Sequence, residues 1–379
     1  MIRPRLRDAA MNEHVNPANQ TQNSNRLRII DCDVHPRIHS PLEMKPYLSS
    51  RAWDLWQTYG TRNRHGFAKG HPYPKSQPDS GMRRDAYPPD GTMAGSSLSF
   101  LTEQLLDAYD IEAGILNPLS PSGQGEMNPE LSAALATASN EWQLERWARP
   151  EPRLKASIVV PYEDAAASVA EIRRRAGDPH FAQVLLMSRT NEPLGRKKYW
   201  PIYEAAVEAG LPVGIHVFGF SGFPSTSAGW ASYYVEEMTE HAASCSAMVT
   251  SMIMEGLFEH LPTLKIIVIE SGFGWIPSLG WRLDRNWKRL KKEVPHVRRA
   301  PSEYLKSNIW VTTQPMEESE RPRDVMDAMD WIGWDRILFA SDYPHWDFDD
   351  PYFAIPPVFG EEKRNMIFNQ NAKKVFGWA

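Results

Sequence analysis

Short apolar segments alternate with helical segments along the chain, and this alternation restricts the possible folds. Eight segments have the composition of buried strands: 27–33, 111–118, 154–161, 182–187, 211–218, 264–271, 307–313 and 336–342. Amphipathic helices are predicted at 128–147, 162–176, 198–209, 235–260, 275–292, 320–331 and 360–376. Strands that are apolar on both faces, each followed by a helix, indicate a parallel sheet covered by helices. Eight such units predict an α/β fold of the (β/α)8 TIM-barrel type.

The remaining segments predict one barrel domain with two additions. Residues 26–379 form the predicted domain, and no G-x-G-x-x-G motif follows its first strand, which counts against a dinucleotide-binding fold. Residues 1–25 are polar and rich in Asn, so they predict a flexible N-terminal extension. Residues 60–99 are rich in Gly, Pro and charge and predict a long inserted loop after the first strand. This loop would lie at the barrel face where active sites form.

Composition excludes several classes of partner. A net charge of −5 predicts neither nucleic-acid nor anionic-membrane binding. No apolar run reaches the roughly 18–20 residues that span a bilayer. Cys32 and Cys245 are the two cysteines, which rules out a disulfide framework and a four-thiolate zinc site. These features favour a cytoplasmic protein that acts on a small molecule.

Polar residues stand at the ends of four predicted strands that are far apart in sequence. They are Asp33, His35, His216, Glu270 and Asp342. In a barrel these strand ends converge, and imidazoles with carboxylates are the ligands expected for Zn²⁺, Mn²⁺ or Fe²⁺. Taken alone, Asp33 can cap a strand, and His216 can be a hydrogen-bonded core residue. Glu270 and Asp342 each end a buried apolar segment, where a carboxylate needs a partner charge, a donor or a metal. Together the five residues predict a site for one or two divalent ions.

Four motifs give the chain a resemblance to a known family. "IIDCDVHPR", "GLPVGIHVFG", "EGLFEHLPTLKIIVIESGFGWIP" and "ILFASDYPHWD" resemble the amidohydrolase-related metal enzymes of the barrel class. That group includes aminocarboxymuconate-semialdehyde and resorcylate decarboxylases. The resemblance implies that His35, His216 and Asp342 are the metal ligands of strands 1, 5 and 8. It also implies a homodimer, since the family commonly forms dimers. Asp33 stands where the family has the first histidine of H-x-H, or a glutamate in some decarboxylases.

The sixth predicted strand departs from the family pattern. The decarboxylases carry a histidine at its end, which acts as acid and base, whereas this chain has Glu270. His241, on the preceding predicted helix, is an alternative proton source or an ordinary helix residue. An additional carboxylate would repel an anionic substrate unless it is protonated or bound to metal. Glu270 therefore favours a hydrolase over a decarboxylase.

The leading functional prediction is a metal-dependent hydrolase. A metal-activated water would attack the carbonyl of an amide, ester, thioester or lactone. Asp342 would take the proton of that water, while Glu270 would move protons or bind a second ion. Two alternatives stay open: a metal-dependent non-oxidative decarboxylase of a cyclic or aromatic acid, and a metal-free barrel that binds a ligand.

Four further residues are candidates for substrate contact. Arg84, beside Arg83 in the inserted loop, can bind a substrate carboxylate or simply be a solvated cation. Gln314 follows the seventh predicted strand and His345 follows Asp342, so both are expected near the site. Trp275 can form an apolar wall of the pocket or pack as a lid.

Overall fold

The sheet is a barrel of eight parallel strands in sequential order. The computed structural model describes residues 28–60, 81–219, 224 and 226–378. The strands are β1 Ile29–Val34, β2 Ile111–Leu116, β3 Leu154–Val159, β4 Phe181–Arg189, β5 Val213–Gly219, β6 Ile266–Ile269, β7 Ile309–Thr312 and β8 Ile337–Leu338. The barrel closes because Cys32 N donates to Phe339 O at 3.0 Å and His35 N donates to Tyr343 O at 2.8 Å. The prediction of a (β/α)8 barrel is confirmed.

The helices lie mainly between the strands, as the amphipathic pattern predicted. In the described ranges they are α1 Ser50–Leu55, α2 Leu98–Leu101, α3 Pro129–Gln143, α4 Ala165–Arg175, α5 Trp200–Glu208, α6 Tyr234–Met254, α7 Leu257–His260, α8 Trp275–Leu290, α9 Pro301–Asn308, α10 Pro322–Ile332, α11 Glu361–Asn365 and α12 Asn371–Phe376. The predicted helix 235–260 is divided into α6 and α7. Gly256 lies between them with φ of +82°, a backbone conformation that ends a right-handed helix.

The strands lack the apolar–polar alternation of a half-exposed sheet. Every residue of β1, β4, β6 and β7 is buried. One face of each strand points into the barrel and the other packs under the surrounding helices, so both faces are removed from water. Polar residues within these strands therefore require partners inside the protein.

The described part of the inserted loop lies against the segment that follows β8. Arg83 N donates to Pro344 O at 2.9 Å, and Trp346 N donates to Gly81 O at 2.8 Å. The predicted extension 1–25 and residues 61–80 of the loop lie outside the described residues. Across the ranges that the structure covers, none of the helices combines the length and apolarity needed to cross a membrane.

Candidate active site

The five predicted ligands meet at the carboxyl-terminal end of the barrel. Asp33 and His35 belong to the end of β1, His216 lies in β5, Glu270 directly follows β6, and Asp342 follows β8. All five side chains are at most 2% exposed. Donor atoms of Asp33, His35, His216 and Glu270 lie within 4.8 Å of one another. Parallel strands place their ends together, which is why residues hundreds of positions apart share one site.

Asp33 lies between the two imidazoles of this cluster. His35 Nε2 is 3.2 Å from Asp33 Oδ1 and 2.9 Å from Asp342 Oδ1. His216 Nε2 is 3.5 Å from Asp33 Oδ2 and 2.9 Å from Glu270 Oε2. The inward-facing nitrogen of each histidine is thus surrounded by carboxylate oxygens.

The outward-facing nitrogens fix the orientation of both imidazole rings. His35 Nδ1 lies 2.7 Å from Asn117 O, and His216 Nδ1 lies 2.7 Å from Val217 O. A carbonyl oxygen can only accept, so each Nδ1 carries a proton and donates it. In the neutral form of each ring, the lone pair of Nε2 then faces the carboxylates, which is the arrangement of metal-ligating histidines.

Four buried atoms of the cluster lack hydrogen-bond partners among the described residues. They are Asp33 Oδ2, His35 Nε2, His216 Nε2 and Glu270 Oε2. The nitrogen–oxygen distances are short, but the directions do not suit hydrogen bonds. Burial of unpaired polar atoms is costly, and a divalent cation would satisfy all four at once. The residues present therefore fit a metal ion, and this counts against a metal-free binding barrel.

Electrostatic interactions within the cluster favour positive charge. Burial raises the pKa of Asp33, but the charges of His35 and His216 outweigh burial and hold this pKa well below its usual range. Burial lowers the pKa of His216, but Asp33 and Glu270 more than offset it and raise the pKa to about 10. Burial also lowers the pKa of His35, but Asp33 and Asp342 outweigh burial and raise this pKa above its usual value. Protons and a metal ion would compete for these ligands.

The backbone adopts left-handed conformations at three positions around the site. Phe218, Glu270 and Asp342 have φ of 79°, 56° and 61°. Non-glycine residues rarely adopt this conformation, which costs about 1–3 kcal/mol per residue. Hydrogen bonds hold two of these turns: Glu270 N donates to Thr312 Oγ1, and Asp342 N donates to Asp33 O, both at 3.1 Å. The strain is concentrated where two predicted ligands leave their strands.

Gln314 and His345 both contact Asp342. His345 Nδ1 lies 2.6 Å from Asp342 Oδ1, and Gln314 Nε2 donates to Asp342 Oδ2 at 3.3 Å. Gln314 Nε2 also donates to Asp347 Oδ2 at 3.1 Å. Both residues lie at the site as expected, but the contacts observed are with a predicted ligand. Their role in binding substrate stays a prediction.

The two other predicted substrate contacts lie in different surroundings. Trp275 Nε1 donates to Ser271 O and Gly272 O within its own loop. Arg84 is exposed to solvent. Its neighbour Arg83 pairs with Asp85 through Nε at 2.9 Å and Nη2 at 2.6 Å. For Trp275 and Arg84 too, contact with substrate stays a prediction.

His241 is linked to the cluster through an aromatic ring. It is a buried residue of α6, and its ring meets the edge of Phe218 at a centroid distance of 5.0 Å. Phe218 in turn stacks on His216 at 5.9 Å. This packing gives His241 a structural contact beside the site, and its proposed role in proton transfer stays untested.

Two buried residues that the sequence analysis missed support the ligands. Asn117 follows β2, and its Nδ2 donates to Asp33 Oδ1 at 2.9 Å. Asp31 accepts from Ser341 N at 2.9 Å and from Ser341 Oγ, which joins β1 to the segment after β8. Burial raises the pKa of Asp31 to about 7, against the lowering effect of these hydrogen bonds. The strand-end rule that selected Asp33 would also have selected Asn117, the first polar residue after an apolar strand.

The barrel and its carboxylate–imidazole cluster define a metal-enzyme scaffold, and comparison with known proteins specifies the family. The amidohydrolase family model Amidohydro_2 matches residues 30–378. The chain therefore belongs to this family and is an enzyme of the amidohydrolase superfamily. The resemblance inferred from the four motifs is confirmed.

The similar proteins include several decarboxylases. Gamma-resorcylate decarboxylase from Rhizobium radiobacter is 28% identical over 293 residues, which cover 72% of this chain and 85% of that protein. The structure of 5-carboxyvanillate decarboxylase from Sphingomonas paucimobilis matches with a TM-score of 0.65 and 21% identity over 93% of this chain and 100% of its own. A dihydroxybenzoic acid decarboxylase from Polaromonas sp., solved with manganese and 2-nitroresorcinol, matches with a TM-score of 0.62 and 20% identity, covering 92% and 97% of the two chains.

These relatives overturn the hydrolase prediction, which was wrong. The prediction rested on Glu270 as an additional negative charge that would repel an anionic substrate. Glu270 Oε2 instead lies 2.9 Å from His216 Nε2, inside the cation-binding cluster. A cation in this cluster, either protonated His216 or a bound metal ion, would offset its charge, so the carboxylate is no argument against an acidic substrate.

Proposed function

We propose that the chain is a metal-dependent, non-oxidative decarboxylase of an aromatic carboxylic acid. The observation that carries the proposal is the 28% identity to a gamma-resorcylate decarboxylase over 72% of the chain. The cluster of buried donor atoms supports it independently, because these atoms suit a divalent cation. A cyclic, non-aromatic acid remains within the same reaction class.

We assign the metal ligands to the strand-end residues. Asp33, His35 and His216 would each supply an atom, and Asp342 beside His35 and Glu270 beside His216 would complete the set. Manganese is the preferred ion, since relatives contain it and the set is rich in carboxylates. When bound, the ion supplies positive charge that holds the substrate carboxylate and a neighbouring hydroxyl oxygen.

The reaction exchanges a carboxylate for a proton on a ring carbon. The carbon–carboxylate bond breaks, CO₂ leaves, and its electron pair accepts a proton at the same carbon. Burial raises the pKa of Asp342, but His345 and His35 outweigh this and hold the pKa below its usual value, so Asp342 is ionised at rest. An ionised carboxylate has no proton to give, so we assign delivery of the proton to the imidazole of His345. Asp342 orients that ring, since its Oδ1 lies 2.6 Å from His345 Nδ1.

The decisive test is CO₂ release by manganese-loaded protein. The panel pairs 2-hydroxybenzoic acids, including 2,6-dihydroxybenzoate and 5-carboxyvanillate, with benzoic acids that lack the neighbouring hydroxyl. We expect release of CO₂ and formation of the matching phenol from members of the first group only. A His216→Ala variant serves as the inactive control. Turnover of amides or esters, with no CO₂ from any acid, would refute the proposal.

A further inference from the structure

Asn117 connects the β1 ligands to the rest of the barrel through every polar atom it has. Its backbone N donates to Val34 O at 2.8 Å, and its backbone O accepts from His35 Nδ1 at 2.7 Å. Its amide Nδ2 donates to Cys32 O at 3.2 Å and to Asp33 Oδ1 at 2.9 Å. All four partners lie in β1 or directly after it.

The orientation of the Asn117 side chain follows from its neighbours. The carbonyl of Cys32 can only accept, so the amide atom that faces it must be the nitrogen. The oxygen then faces Gln183 Nε2 at 2.9 Å and Ser157 Oγ at 2.8 Å, and both can donate. A flipped amide would lose these bonds, so the group facing Asp33 is an N–H donor.

This arrangement determines which atoms of Asp33 and His35 face the centre of the cluster. The Asn117 amide occupies Asp33 Oδ1, while Asp33 Oδ2 is among the buried atoms without a partner in the described ranges. The Asn117 carbonyl keeps the proton on His35 Nδ1, while His35 Nε2 is another such atom. One residue therefore sets both the carboxylate oxygen and the imidazole nitrogen that remain available.

Residues of β3 and β4 hold Asn117 in turn. Ser157 and Gln183 are at most 1% exposed, and Gln183 Nε2 also donates to Ser157 Oγ at 3.1 Å. The chain of hydrogen bonds thus crosses the barrel from β4 to the ligands on β1. Two donors to the Asn117 oxygen and two acceptors for its amide nitrogen restrict rotation of the Asn117 side chain.

We propose that Asn117 is a positioning residue for the metal centre: it presents Asp33 Oδ2 and His35 Nε2 to the ion. The proposal rests on the metal-dependent function proposed above and extends it to a residue that would act on the ion through Asp33 and His35. A purely structural role would make Asn117 matter for stability alone. A positioning role makes the affinity for metal depend on it as well.

The test compares two buried asparagines in the full-length protein. Asn117→Ala removes the amide beside Asp33, and Asn308→Ala removes an amide that donates to Pro262 O and Leu264 O, away from the cluster. Mn²⁺ alone is titrated into metal-free protein, with free Mn²⁺ read from its electron paramagnetic resonance spectrum. Thermal unfolding without metal measures stability. We expect Asn117→Ala to bind Mn²⁺ about 10- to 100-fold more weakly, and Asn308→Ala to bind as the wild type does.

Each outcome decides between the two proposals. Equal Mn²⁺ affinity of wild type and folded Asn117→Ala overturns the positioning role and leaves the proposed function intact. Absence of Mn²⁺ binding by the wild type overturns the metal-dependent function itself. If Asn117→Ala does not fold, Ser157→Ala decides, because it removes one of the two donors that hold the Asn117 oxygen. We expect its affinity to lie below that of the wild type, and an unchanged affinity would overturn the proposal.

Discussion

Two buried asparagines at the amino-terminal end of the barrel differ from the ligand cluster at the carboxyl-terminal end in how their polar atoms are paired. At the amino-terminal end, Asn308 donates to Pro262 O at 3.0 Å and to Leu264 O at 2.9 Å. Asn371 donates there to Trp334 O at 2.7 Å and to Ile337 O at 2.8 Å. At the carboxyl-terminal end, four buried nitrogen and oxygen atoms of the ligand cluster have no hydrogen-bond partner in the described ranges.

This difference distinguishes stability from function within one fold. A buried amide that donates both protons to backbone carbonyls connects a loop to a strand, and its nitrogen has no proton left to bind a ligand. Buried atoms that are held in place but unpaired retain the capacity to bind one, at a cost in stability. The left-handed conformations of Glu270 and Asp342 occur at the same end. Strain and unpaired atoms therefore coincide where the site is proposed, and the following predictions test that coincidence.

Removal of a ligand imidazole at the functional end has the largest expected effect. His216→Ala should weaken Mn²⁺ binding by more than about 100-fold, beyond the loss typical of a residue that only supports a ligand. Equilibrium titration with Mn²⁺ measures this. The control is His260→Ala, since His260 also pairs with a glutamate, Glu204, at 2.7 Å but on the surface. Full metal occupancy in His216→Ala would show that β5 supplies no metal ligand.

Neutralisation of one carboxylate should have a smaller effect. Glu270→Gln keeps the shape of the side chain and removes the charge that lies 2.9 Å from His216 Nε2. We expect an intact fold, and Mn²⁺ affinity and turnover lowered by about 10-fold or more. Glu204→Gln is the matched surface change and should leave both quantities unchanged. Normal metal affinity and turnover in Glu270→Gln would make Glu270 a structural carboxylate.

Much of the fold and of the cluster could be predicted because both depend on short-range patterns. Doubly buried strands followed by helices identify the barrel, and a polar residue that ends such a strand identifies a rim position, as with Glu270 after β6. Asn117 obeys the same rule but was missed, because its function depends on contacts with Asp33 and His35 across strands. Such contacts are set by side-chain orientation, which strand periodicity does not specify.

The chemistry was harder to predict than the positions. A glutamate in place of a histidine was interpreted as a repulsive charge because its partners were unknown. Only the fold brings His216 to Glu270, from 54 positions earlier in the chain, and so reveals that the charge is balanced. Net electrostatic effects depend on distances between residues of different strands, and these are not encoded locally.

Loss of an amide at the amino-terminal end should affect stability and spare the metal site. Asn371→Ala leaves the carbonyls of Trp334 and Ile337 without their donor. We expect the free energy of unfolding to fall by about 1–3 kcal/mol, measured by urea denaturation of the metal-free protein. The affinity for Mn²⁺ should match that of the wild type. A large loss of affinity would contradict the separation of the two ends.

A pH-dependent effect is expected from Asp349, a carboxylate near the functional end outside the proposed ligand set. Burial raises its pKa to about 7, opposed by a hydrogen bond from Met316 N and reinforced by Asp342 and Glu318. Between about pH 4 and 7, Asp349 is protonated in the folded state and ionised in the unfolded state. The unfolded state is therefore increasingly favoured as pH rises, and the free energy of unfolding falls. The slope from this one group is at most about 1.4 kcal/mol per pH unit. Asp349→Asn should remove that slope, so that the variant gains stability relative to the wild type across this range in urea denaturation series. A constant difference between the two proteins from pH 4 to 7 would contradict the raised pKa of Asp349.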